Sequence, residues 1–170
     1  MSYINPAPGT PGQVTLKIDV STGSTALGST PLAIPALMDI VVKNANDTHI
    51  WPQLDSTAKY VVPTTATNDI TMNLVVDPAT FFGTTLSGTT QSSTVQAQGL
   101  MGLSRNKTKI AFEVKVQDLT STTNDYLIQG QGYITALAPA ISATAPVWVT
   151  PMTIVVSGEY TIENTTGTVT

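Results

Sequence analysis

Residues 152–162 read Met-Thr-Ile-Val-Val-Ser-Gly-Glu-Tyr-Thr-Ile, and their alternation decides the fold class. Met152, Ile154, Val156, Gly158, Tyr160 and Ile162 fall on one face of an extended chain, with Thr153, Ser157, Glu159 and Thr161 on the other. Successive side chains of a strand point to opposite faces, so this period of two marks a half-buried strand. The same period recurs upstream. Val14, Leu16, Ile18 and Val20 oppose Thr15, Lys17 and Asp19; Ile70, Met72, Leu74 and Val76 oppose Thr71, Asn73 and Val75. Ile110, Phe112, Val114 and Val116 oppose Lys109, Ala111, Glu113 and Lys115. Asp39–Val42, Lys59–Val62 and Tyr126–Leu137 are shorter or less regular candidates.

Between the strands lie stretches rich in turn formers, at Ser21–Pro35, Lys43–Thr57 and Asp77–Ser93. Pro6, Pro8 and Pro11 make residues 1–12 an expected extended arm, and residues 164–170 an expected flexible tail, on a single domain. One helix is expected from an N-cap at Ser92 or Ser93 through Ser104, with Val95, Leu100 and Leu103 on one face. Gly99 and Gly102 weaken that helix by about 1 kcal/mol each relative to Ala. Pro151 cannot donate to a ladder and should mark an edge or a bulge in the last strand. The expected fold is therefore mainly β and antiparallel, with one short flanking helix.

Composition narrows the function. Of 170 residues only 11% are charged, and the net charge is −4; globular chains average about 25% charged. Thirty Thr and twelve Ser fill the gap. A folded nucleic-acid reader would be basic, whereas this chain has one Arg and six Lys. A β-prone surface this poor in charge suits a protein that contacts copies of itself, because charged residues are depleted at interface cores. The N-terminus has no basic region followed by an apolar run, so no secretory signal is read and folding in the cytoplasm is expected. No apolar run approaches the length of a membrane-spanning helix.

Catalytic chemistry finds little to work with. With no Cys, disulfide and thiolate sites are excluded. His49 is the only histidine, which removes any site needing two imidazoles, and no G-x-S-x-G elbow supplies a nucleophile for it. The eleven carboxylates fall mostly at strand ends or in loops, where Asp is a turn former. Asn44, Asn46 and Asp47 lack the Gly and terminal Glu of a calcium loop. Gly130-Gln131-Gly132 precedes a strand rather than a helix, so it reads as a bulge or close backbone approach and not as a dinucleotide fingerprint. Arg105, Lys107, Lys109 and Lys115 form a basic cluster without aromatics, read as a solvated or subunit-pairing face. No enzyme, metal site or cofactor is expected.

The order of the second half carries a resemblance. A short helix leads into Thr108–Val116, then a turn into Tyr126–Leu137 with its Gly130-Gln131-Gly132-Tyr133-Ile134-Thr135-Ala136 run. A small-residue link through Pro139 and Ala145 follows, and then the long strand ending at Val155-Val156-Ser157-Gly158-Glu159-Tyr160. Over residues 93–163 this resembles the major tail tube proteins of long, non-contractile phage tails. The resemblance implies a β-sandwich or split barrel and a structural role in the virion tail, assembled in the host cytoplasm. It also implies hexameric rings stacked into a tube, other tail proteins as partners (terminator, tape measure, distal tail) and a lumen that conducts DNA without specific binding. Thr71, Asn73, Gln129, Gln131, Ser157 and Glu159 are then the lumen-facing candidates, as polar faces of long strands. Two other readings remain open at this point: another virion part, such as a terminator, adaptor or capsid decoration protein, and a Thr-rich adhesin or carbohydrate-binding module.

Lys43–Thr57 is expected to be a long functional loop. It holds His49, Ile50, Trp51 and Leu54, large side chains that are costly to leave in water, and Trp is enriched at interface hot spots. These four are the candidates for contact with a neighbouring copy, with Trp51 at the centre.

Overall fold

The computed structural model describes residues 14–52, 59–84, 94–117, 124–140 and 147–166. Eight strands make one sheet: β1 (Val14–Val20), β2 (Leu32–Ala33), β3 (Leu37–Pro52), β4 (Lys59–Val75), β5 (Ile110–Gln117), β6 (Asn124–Leu137), β7 (Val149–Val156) and β8 (Thr161–Thr166). The spatial order is β2-β1-β5-β6-β7-β4-β3, with β8 also on β6, and every pairing is antiparallel. The sheet is not closed. Its two ends nevertheless come close, because only Ile34–Ala36 separates β2 at one edge from β3 at the other. Four Cα steps span at most about 15 Å. That corner is pinned by Ile34 N–H donating to Leu16 O at 2.9 Å and Val75 N–H donating to Ala36 O at 3.1 Å.

The alternation read from the sequence is what forces this curl. Leu16 and Ile18 of β1, Ile70, Met72 and Leu74 of β4, Ile110, Phe112 and Val114 of β5, Ile134 of β6, and Met152 and Ile154 of β7 are buried in one cluster. Strands from both wings thus share a core. Each fully buried aliphatic or aromatic side chain contributes about 1.5–3 kcal/mol.

Helices fill the concave side, and there are two among the described residues rather than the single one expected. Helix α1 (Pro78–Phe82) lies inside the stretch expected to be turn-rich. Its start was legible: Asp77 caps it, accepting from Thr80 N and Oγ1 at 2.9 Å each, and Pro78 takes the first turn, where a missing N–H costs nothing. Helix α2 (Val95–Arg105) buries Val95, Leu100 and Leu103, the face expected from spacing. Its N-cap position is Thr94; Ser92 and Ser93 lie outside the described residues. Gly99 breaks the helical geometry at φ 61°, and Gly83 ends α1 at φ 78°. The two glycines face each other, and a Cβ on either would overlap the other segment's backbone. This contact is why α1 can dock on α2.

The last strand is interrupted, not continuous. Strands β7 and β8 run one after the other along the same edge of β6, from Leu137↔Met152 to Gly132↔Val156 and then from Gln129↔Thr161 to Asn124↔Thr166. Four residues, Ser157–Tyr160, bridge a gap of two on β6, with Gly158 at φ 93°. Strand β8 continues through Thr166, so the tail expected from residue 164 is strand-paired in its first three residues. Residues 1–12 lie outside the described residues. Pro151 sits in an interior strand, opposite Asn73. Asn73 N–H points the other way, to Asp39 Oδ1 at 2.7 Å, so the Asn73–Pro151 pair exchanges no ladder bonds. The missing donor therefore faces the end of β6, where the ladder has already stopped. Gly130 and Gly132 are close approaches: a Cβ on Gly130 would strike the Phe112 ring, and one on Gly132 the Val155 carbonyl.

Candidate assembly surface

The stretch expected as a loop, Lys43–Thr57, is largely strand. Strands β3 and β4 stay paired from Leu37↔Leu74 out to Pro52↔Lys59, whereas β7 leaves β4 at Asp69↔Val155. Beyond Lys43↔Asp69, an ion pair at 3.6 Å, the hairpin is a two-stranded arm with no third strand among the described residues. From Asn44 to Pro52 it extends about 30 Å at 3.3 Å per residue. Isolated two-stranded hairpins are marginal in water, and the side chains explain why this one needs a partner.

A β-bulge sits midway along the arm. Asp47 alone opposes Thr64 and Thr65, and holds both: Thr64 Oγ1 donates to its carbonyl at 3.2 Å and Thr65 Oγ1 to its carboxylate at 3.1 Å. Bulges bend and twist a ribbon. Past it, His49 pairs with Val62 and Trp51 with Tyr60 on one face, while Ile50 pairs with Val61 on the other. His49 stacks on Trp51 (ring centroids 6.0 Å, 26° between planes), and Trp51 on Tyr60 (6.1 Å, 21°). The tip is exposed throughout, with Ile50 52%, Val61 55% and Trp51 36% accessible. Of the four residues expected at a contact, the structure brings His49, Ile50 and Trp51 onto this arm, and Leu54 lies outside the described residues. Sequence reasoning missed Tyr60, Val61 and Val62. Their run of three β-formers was read as a separate short strand, although it lies directly across the hairpin.

The polar candidates divide into two groups. Thr71, Asn73, Gln129 and Gln131 lie on the outer face of the sheet, opposite the core. Asn73 Nδ2 donates to Asp39 Oδ2, and Gln129 Nε2 to Glu113 Oε2, both at 2.8 Å. Ser157 and Glu159 sit in the bulge between β7 and β8 rather than in a strand, with Ser157 N–H donating to Gln131 O at 2.8 Å. The basic cluster disperses. Arg105 ends α2 and Lys107 follows it, while Lys115 lies about 20 Å along the strand from Lys109 at 3.3 Å per residue. Lys115 is committed to Asp125 at 2.6 Å.

Among the described residues no three His, Asp or Glu side chains could share a metal ion. No helix among the described residues is long and apolar enough to cross a membrane. The indentation lined by Pro35, Leu74, Phe81 and Leu100 is a shallow, open dent of about 140 Å³ with its solvent included, below the roughly 300 Å³ at which ligand pockets begin. Among the described residues the large unpartnered feature is the tip of the arm.

No family model and no curated protein sequence matches the chain. Solved structures do. A chain of the virion of a native gene transfer agent particle is 12% identical, with a TM-score of 0.60, over 91% of this chain and 98% of that one. The SPP1 tail tube, at 10% identity, gives a TM-score of 0.60 over 94% and 80%. This chain has the tail-tube fold. A chain of the sheath/tube terminator of an extracellular contractile injection system also matches, at 14% identity and a TM-score of 0.55 over 96% and 99%. The resemblance read from residues 93–163 therefore extends, at the level of fold, across nearly the whole chain.

Proposed function

We propose that the chain is the subunit of a phage tail tube: a structural, non-catalytic virion protein that forms hexameric rings stacked around a DNA-conducting lumen. The observation that carries this reading is the arm, whose exposed tip gathers aromatic and aliphatic side chains on a hairpin standing out from a fold shared with a chain of the SPP1 tail tube. A free monomer gains nothing from exposing His49, Ile50, Trp51, Tyr60, Val61 and Val62 together. A second copy of the chain would bury them. The tail of an empty gene transfer agent particle, whose chain matches this one at a TM-score of 0.58, has C6 symmetry, which supports the hexameric ring. Terminator, tape measure and distal tail proteins are the further partners at the tube ends and inside it.

The outer face with Thr71, Asn73, Gln129 and Gln131, together with Ser157 and Glu159, is the lumen lining in this reading. Amides and hydroxyls wet easily, and Lys43 and Lys115 on that face are held by Asp69 and Asp125, which leaves phosphates less cation to hold. Electron microscopy of the purified protein tests the proposal: long hollow cylinders are expected, and a stable monomer at high concentration overturns it. The match to a terminator chain favours a second reading, in which assembly stops at one ring. The same images separate the two.

A further inference from the structure

The chain has a single histidine, and the fold carries it to the tip of the arm. His49 is exposed there, on the face it shares with Trp51, Tyr60 and Val62. The opposite face is mixed: Ile50 and Val61 lie beside Thr48 and Lys59, with Asn44, Asn46 and Asn68 toward the root. The aromatic face therefore has the most to gain from cover, and His49 stands inside it, stacked on Trp51 and paired across the hairpin with Val62. Among unperturbed side chains imidazole alone changes charge between pH 5 and 8. We infer that His49 makes assembly sensitive to pH: the neutral ring lets a second copy cover the arm, and the protonated ring opposes it. This rests on the assembly reading above and adds a regulation to it.

The sign follows from the groups around the ring. Among the described residues, Asp47 is the nearest charged side chain on this face, and its carboxylate already accepts from Thr65 Oγ1 at the bulge. Farther toward the root Lys43 and Asp69 offset each other. Tyr60 is the other titratable side chain on the face, and Lys59 points to the opposite one. Asp47 and the Trp51 ring favour an imidazolium in the free arm and in the covered arm alike. What covering changes is water, and its loss penalises the charged form. A covered arm thus holds fewer protons than a free one, so by linkage acid weakens the contact.

The critical concentration for tube formation, measured by sedimentation from about pH 8 to about pH 5.5, tests this. For the wild type it is expected to rise toward acid, by up to about tenfold per pH unit for one ring per arm. His49→Phe keeps a ring to stack on Trp51 and carries no proton, and His49→Gln keeps a polar side chain without one; both profiles should be flat. Asp47→Asn should keep the acid dependence. A flat wild-type profile, a His49 variant as steep as the wild type, assembly favoured by acid, or loss of the dependence in Asp47→Asn overturns the inference while the assembly reading stands. Should neither His49 variant assemble, proton exchange in weakly buffered solution decides: release is expected as the wild type assembles, and uptake or no exchange overturns the inference. A wild type that stays monomeric at every pH and concentration overturns both.

Discussion

Asn68 is the residue where local chemistry is least satisfied. It lies at the root of the arm, opposite Asn44, is 9% exposed, and its Oδ1 is buried without a hydrogen-bond partner. A buried unsatisfied acceptor costs about 1–3 kcal/mol, and an apolar side chain of similar shape removes that cost. Asn68→Leu is therefore expected to leave the melting temperature of the monomer unchanged or raised; a clear fall would mean that the side chain holds the arm through its other atoms. Asp77 shows the opposite case. The Thr80 N–H and hydroxyl hold its carboxyl below the usual carboxylate range. A depressed folded pKa adds stability that is present above the unfolded value of 3.8 and lost as pH falls through the folded value. Asp77→Ala should thus melt below the wild type at pH 7, with the difference shrinking as the pH falls below about 4. Asp77→Asn keeps the cap and should stay near the wild type at pH 7. A pH-independent gap for Asp77→Ala would show that the carboxylate charge is irrelevant.

At the scale of elements, the joint between α1 and α2 rests on two glycines. Gly99→Ala combines a left-handed backbone with a Cβ that meets the end of α1. Its expected cost is about 2–4 kcal/mol, read as a large drop in melting temperature with loss of α1 packing; a change under about 0.5 kcal/mol, the range of surface substitutions, would place this joint outside the cooperative fold. The arm behaves differently because, among the described residues, its tip packs on nothing outside its own hairpin. Trp51→Ala removes the middle ring of the ladder, and the monomer is expected to melt as the wild type does while tubes fail to form. A monomer that loses thermal stability would locate Trp51 in its own core instead. This contrast explains what the sequence could reveal. Strands β1, β5 and β7 were legible because the core imposes alternation on them, and α2 because Val95, Leu100 and Leu103 reach the same core. The arm has no core beneath it, so its faces obey no binary pattern, and Asn44, Asn46, Asp47 and Pro52 looked like loop. Helix α1 has five residues, too few for any period, and only its Asp-Pro start could have given it away.

For the molecule as a whole, the sheet separates two environments. Its concave side holds the core and both helices, and its outer side carries polar residues from β3 to β1. The sequence showed which residues alternate but not how far each strand runs. Ser157 and Glu159 therefore looked like strand residues, although the two-residue excess on the β7–β8 track lifts them into a bulge. Thr71 and Gln131 offer the cleaner test of the lumen, because Asn73 and Gln129 are tied to Asp39 and Glu113. Thr71→Lys with Gln131→Lys adds two cations per subunit to the outer face without opening the core. If that face lines the lumen, the variant tubes should assemble, yet release DNA more slowly, since each lysine near a phosphate adds a contact that must be broken as the strand passes. Such contacts weaken with the logarithm of salt concentration, so raising salt should restore the rate toward that of the wild type. Release kinetics from particles carrying wild-type or variant tubes, at two salt concentrations, measure this directly. Equal rates at both would place the outer face away from the DNA, and failure of the variant to form tubes would place it at a contact between copies.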